Sequence, residues 1–174
     1  MRKRWLVAGG AVALCIGVAY PAISASASGT AAGPPTGTAS NPLRIDVLTT
    51  ATAINNFVDI GPAGPSPGDL YVFSEDVSFA SDPTTKIGRA DGRCTLIDPS
   101  TGPSTARFGC TIITKLPKGD ITTEGTLINV PGSTSTGAVT GGTSAYRNAR
   151  GEGTLVLGGP QGPHQVTFQL IVIP

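Results

Sequence analysis

The sequence predicts an all-β protein of about eight antiparallel strands. Three observations lead there. Only 13% of the 174 residues are charged, and Thr, Ser and Gly are abundant where helix formers would be expected. Short runs that alternate apolar and polar residues recur along the chain, separated by turns drawn from 24 glycines and 15 prolines.

The first segment, 1–27, reads as a secretory signal. Arg2, Lys3 and Arg4 form a basic start, Trp5 to Ala19 an apolar run short for a membrane span, and Ala25-Ser26-Ala27 a small-residue cleavage site. A lipid anchor on Cys15 is the alternative, although that cysteine follows Leu14, where a small residue would be wanted. Export, cleavage and no later membrane attachment are expected. Residues 28–41 are rich in Gly, Ala, Pro, Ser and Thr and read as a flexible leader, leaving 42–174 as a single domain.

Removing the signal leaves 9 basic residues against 11 acidic, a formal charge of −2. Phosphate binding needs clustered positive charge, so a nucleic-acid partner is not expected. Cys94 and Cys110 remain, sixteen positions apart. In an oxidising compartment the simplest reading is a disulfide between neighbouring strands. The alternative, a reactive thiol, needs a free cysteine beside a base or cation.

Leu43, Ile45 and Val47 alternate with Arg44 and Asp46 in a first strand over Pro42 to Thr52. The loop Asn55 to Gly68 holds Asp59 and three prolines and three glycines between Gly61 and Gly68, which preclude regular pairing. Asp69 to Ala80 carries the clearest alternation, with Tyr71, Phe73, Val77 and Phe79 on one face and Glu75 among them. A carboxylate on an aromatic face needs a hydrogen-bond partner or a cation. The competing reading reverses the two faces near a bulge, since the other face carries Ser74, Asp76 and Ser78.

Lys86 to Asp98 and Thr105 to Lys115 carry the cysteines on either side of a proline- and glycine-containing turn, and Ile121 to Val130 follows a tight turn at Leu116 to Asp120. A short segment, Ala138 to Thr140, precedes the stretch Thr140 to Glu152. There Gly141 and Gly142 mark a sharp corner, Tyr146 sets an amphipathic ring beside it, and Arg147 and Arg150 add positive charge. Arg150 and Glu152 share a strand face, which is either an outer surface or the wall of a cavity. Glu152 to Leu157 and Gln165 to Ile173 end the chain around a hairpin loop. Eight such strands can close into a barrel, or divide into a two-sheet sandwich.

His164 is the only histidine, lies in or beside that last loop, and reads as a solvated residue with no second imidazole to share a metal or serve a nucleophile. No metal site is expected. GGTSAY lacks the lysine ending and following helix of a phosphate loop.

GDLYVF (Gly68 to Phe73), IGRADGRCTLI (Ile87 to Ile97), GDITTEG (Gly119 to Gly125) and VTGGTSAYRNARGE (Val139 to Glu152) together resemble the allene oxide cyclase and dirigent proteins of plants, most closely their secreted bacterial relatives. The resemblance covers most of Asn55 to Pro174. It implies an eight-stranded antiparallel β-barrel whose cavity holds a small apolar or phenolic molecule and steers its cyclisation or coupling, without a cofactor, metal or covalent nucleophile. Aligning a cyclase asparagine with Asn55 puts Ala53 where the cyclases carry a glutamate, and Cys94 falls on their cavity cysteine. For the cavity aspartates and arginine of dirigent proteins, the resemblance offers Asp59 and Asp91 as candidate counterparts, and either Arg89 or Arg150. Trimers among the plant proteins raise a homo-oligomer as a further expectation.

Glu75, Asp91 and Arg150 are therefore the candidates for catalysis, and Tyr71, Phe73, Asp59 and Tyr146 for ligand contact. The expected function is a secreted small-molecule-binding barrel of isomerase or dirigent type. The alternative, a noncatalytic extracellular interaction module on the same fold, requires an interior filled by side chains.

Overall fold

A computed structural model of the chain describes residues 37–38, 41–99, 105–159 and 162–172, and in it eight strands follow one another around a closed antiparallel barrel. They are β1 (Leu43–Val58), β2 (Leu70–Phe79), β3 (Asp82–Asp98), β4 (Arg107–Leu116), β5 (Gly119–Ile128), β6 (Thr134–Gly142), β7 (Arg150–Val156) and β8 (His164–Ile171). Each pairs with the next. β8 returns to β1 from Leu43 opposite Leu170 to Thr49 opposite His164, and this closing ladder decides for a barrel over a sandwich. The expected signal at 1–27 lies outside the described residues, as does most of the leader. Within that leader Gly37 pairs with Val172, whose N–H donates to the Gly37 carbonyl at 3.2 Å.

β1 and β6 run furthest beyond their sequence pattern, and β3 and β7 start earlier than expected, at Asp82 and Arg150. β1 continues through Ala53 to Val58, beyond its ladder with β8, after a register shift between Ala51 and Asn55 that lets it keep following β2. This arm is exposed throughout, so burial imposes no alternation on Ile54, Phe57 and Val58. β6 is read short because its inward face includes Gly137, which carries no apolar side chain to mark it, and because a register shift against β5 between Thr122 and Thr123 breaks the alternation near its end.

The interior has two halves. A plug at one end packs Val47, Val77, Ile121, Val139, Phe168 and Leu170, with Tyr146 and Ala149 beneath them. Burial of such side chains contributes about 1.5 to 3 kcal/mol each. The corner at Gly141 and Gly142 belongs to this closed end. A Cβ on Gly142 would stand 2.4 Å from the Tyr146 carbonyl, so only glycine lets the single 3-10 turn Ser144–Tyr146 fold back beneath the barrel. The glycine corner thus seals the floor, and the mouth lies at the opposite end, among the β1–β2, β5–β6 and β7–β8 connections.

The disulfide joins Cys94 to Cys110, which face each other across the β3–β4 ladder. Closing a loop of sixteen residues stabilises the fold by about 3 kcal/mol on the chain-entropy model. Both sulfurs belong to the second half of the interior, where Leu96, Ala106 and Phe108 surround them.

Candidate functional site

Above the plug the barrel is open, enclosing a cavity of about 1620 Å³. Its most aromatic wall is built by β2 and β4. The Tyr71 ring lies 5.5 Å from Phe73 and 6.2 Å from Phe108, centroid to centroid, both in tilted arrangements. Phe73 lies flat against β3 because residue 92 is glycine, where a Cβ would fall 2.2 Å from the ring. Tyr71 also bonds Asn55. Burial raises its hydroxyl above the ordinary tyrosine value, against the Asn55 hydrogen bond and with help from the nearby Glu75 charge.

The buried polar residues that line the cavity are Glu75, His164, Thr49 and Thr114, of which the first three meet across β1, β2 and β8. His164 Nε2 lies 3.4 Å from Glu75 Oε1, with the two side chains 10% and 11% exposed. The other ring nitrogen, Nδ1, accepts the Gly158 N–H at 2.9 Å. A nitrogen that accepts a backbone proton carries none of its own, so the neutral ring has its proton on Nε2, directed at Glu75. The loop after β7 thereby orients the imidazole with its Nε2 toward the Glu75 carboxylate. Thr49 Oγ1 has no hydrogen-bond partner among the described residues.

The rim is organised by Asp69, which is fully buried. Its carboxylate accepts N–H groups from Ile60 at 2.9 Å, Gly61 at 3.2 Å and Ser66 at 2.7 Å, and the Ser66 hydroxyl at 3.3 Å. The backbone donors of Ile60 and Ser66 are the main reason its carboxyl sits below the usual carboxylate range. A lowered value in the folded state means that the contribution is complete above about pH 4 and is lost as the pH falls through the folded value. Asp69→Asn is expected to free this loop at neutral pH, read as faster amide exchange at Ile60 and Ser66 with β8 amides unchanged. Unchanged exchange at Ile60 and Ser66 would show that Asp69 does not hold the rim.

Of the sequence candidates, the structure gathers Tyr71, Phe73 and Glu75 on the inner face of β2, and Asp59 at the rim, where it accepts the Gly64 N–H at 3.0 Å. It does not bring the others to them. Asp91 points outward from β3, bonded to Ser74 at 2.8 Å and paired with Arg89 at 2.9 Å and Lys115 at 3.6 Å. β3 places Ala90, Cys94 and Leu96 inside, so the intervening odd positions, Arg89 among them, face solvent. Arg150 is exposed and donates to the Ala149 carbonyl at 2.7 Å, with Glu152 exposed on the same outer face. Tyr146 is buried in the plug, on the far side of the floor from the cavity.

His164 and Thr49 are the members that the sequence reading passed over. Starting the last strand at Gln165 hid that His164 stands two and four residues before Val166 and Phe168, on the same inward face. Thr49 likewise continues the Ile45 and Val47 alternation. Period-two spacing was the available signal in both cases.

No protein-family model matches this chain, and no curated protein sequence matches it. Solved structures do. A pyocyanin demethylase is 23% identical with a TM-score of 0.61, covering 74% of this chain and 99% of its own. AbnU, described as an exo-specific intermolecular Diels-Alderase, is 15% identical with a TM-score of 0.54 over 74% of this chain and 96% of its own. The pterocarpan synthase dirigent protein PsPTS1 is 16% identical with a TM-score of 0.53 over 74% and 90%. At these identities the likeness shows a shared fold, that of dirigent and cyclase barrels, and the chemistry of this chain has to be argued from its own side chains.

Proposed function

We propose that the protein is an exported barrel that takes a small, largely apolar molecule into its open half and steers that molecule's cyclisation or coupling, with Glu75 as proton acceptor and His164 as the residue that positions it. The observation that carries this is the Glu75–His164 contact on the floor of an otherwise mostly apolar cavity. A mostly buried carboxylate beside an imidazole, reached only through an apolar cavity, is placed to accept a proton from a bound hydroxyl or activated C–H.

A redox-neutral ring closure fits these groups. The substrate O–H gives its proton to Glu75 as its oxygen attacks a conjugated carbon. The displaced π electrons move to the far end of the conjugated system, and the proton returns there from the Glu75 carboxyl. Atoms and electrons balance with no further reactant. The cavity's part is to hold the two reacting ends together and exclude water. That solved barrels of this shape include proteins described as a Diels-Alderase and a pterocarpan synthase supports a ring-forming reading.

The open half of the interior supports this over the noncatalytic module, which calls for a core filled throughout. Export rests on the sequence of segment 1–27 and agrees with the disulfide. Native mass spectrometry of the purified protein after exposure to phenolic and lipid extracts tests the reading. Retention of compounds with conjugated rings or chains and at least one hydroxyl is expected, and a protein that retains nothing from either extract contradicts it.

A further inference from the structure

Thr49 combines three features that do not occur together elsewhere among the described residues. It is 3% exposed, it lines the cavity, and its hydroxyl finds no protein partner. A buried hydroxyl with no protein partner keeps its hydrogen-bonding capacity for a molecule that enters the cavity. Its position is also particular. Thr49 stands in register between His164 on β8 and Val77 on β2, and Glu75 is the next inward residue along β2. The orphan hydroxyl therefore belongs to the floor that carries the Glu75–His164 pair.

The opposite wall explains how a ligand would reach that floor. In a closed eight-stranded barrel, β2 faces β6. Gly125, Gly137 and Gly153 stand side by side across β5, β6 and β7, and all three line the cavity. The wall across from Tyr71 and Phe73 therefore carries no side chain at these three positions. An aromatic wall opposite one that is reduced to backbone at three adjacent positions, with Thr123, Leu127, Ser135 and Leu155 around them, makes a slot suited to a flat ring system, with Glu75, His164 and Thr49 at its base.

We propose that Thr49 is the specificity-determining residue of this slot, selecting flat ligands that enter polar end first and present a hydroxyl to the floor. The inference rests on the reading of the cavity as a ligand site. Glu75 as carboxylate only accepts, whereas Thr49 both donates and accepts. A ligand hydroxyl satisfies both at once by donating to Glu75 and accepting from Thr49. An ether oxygen can engage Thr49 alone, and a methyl group neither. Sites that hydrogen-bond a substrate hydroxyl reject the analogue lacking it far more strongly than apolar pockets discriminate by size.

The test compares 2-naphthol, 2-methoxynaphthalene and 2-methylnaphthalene, measured by calorimetry and by fluorescence with wild type, Thr49→Val and Thr49→Ser. Valine matches threonine in shape and removes only the hydroxyl function. Wild type is expected to bind 2-naphthol most tightly. Thr49→Val should lose about five- to tenfold for 2-naphthol and hold 2-methylnaphthalene within about twofold. Thr49→Ser should keep the preference for 2-naphthol. Equal wild-type affinity for all three probes overturns the role of Thr49 and leaves the cavity reading standing, as does a Thr49→Val protein that still prefers 2-naphthol to the wild-type extent. Binding of none of the probes to wild type overturns both.

Discussion

Replacing Phe168 by alanine is expected to destabilise the fold by about 4 kcal/mol, the upper range for a large core side chain. Phe168 is 1% exposed and belongs both to the plug and to the lining of the cavity above it. Its ring approaches the position a Cβ would take on Gly153 to 3.5 Å, so it fills space that β7 leaves vacant. Backbone ladders of β7 and β8 would resist collapse into the gap, which would instead join the existing 1620 Å³ cavity. Urea unfolding should show the midpoint falling with an unchanged slope. A loss under about 1 kcal/mol would mean that the two halves of the interior are not separated by this ring.

The second large effect concerns activity with stability preserved. On the substrate identified by capture, Glu75→Gln is expected to lower kcat/KM by about 10² or more, since glutamine keeps the shape but cannot take a proton. The melting temperature should be unchanged or higher, because a carboxylate buried beside one imidazole is a poor source of stability. His164→Gln should give a smaller loss, with the group that accepts the proton still present and only its orientation relaxed. If Glu75→Gln turned over the substrate like wild type, the proton-acceptor role would fall and the cavity would remain a binding site alone.

Where a barrel wall has one wet and one dry face, sequence spacing reports it faithfully. Tyr71, Phe73, Glu75 and Val77 lie inside β2 as their alternation predicts, and Cys94 meets Cys110 across adjacent strands. The signal fades where burial stops imposing the pattern. The exposed arm from Ala53 to Val58 looks like loop, and β6, with glycine on its inner face, looks like a fragment. Charge misleads in a further way. Asp91 and Arg150 attract notice because charges are rare in this chain, yet each sits on the outer surface, where ionic groups are hydrated at little cost. Tyr146 sits beside a glycine corner as expected, but that corner turns under the plug, and linear order does not say which end of a barrel a connection closes. Spacing alone places His164 on the inward face of β8, but only closure of the barrel, which sets β8 beside β1, brings its imidazole to Glu75.

The account stands on Glu75 being the group that a ligand meets at the base of the open half. Carbon-13 NMR of protein labelled at glutamate side-chain carboxyls tests this directly, with 2-naphthol titrated to saturation and the Glu75 resonance assigned by its loss in Glu75→Gln. The Glu75 signal is expected to move in step with binding while the signal of Glu152, exposed on the outer face of β7, stays in place. Saturable binding that leaves the Glu75 signal unmoved would contradict it.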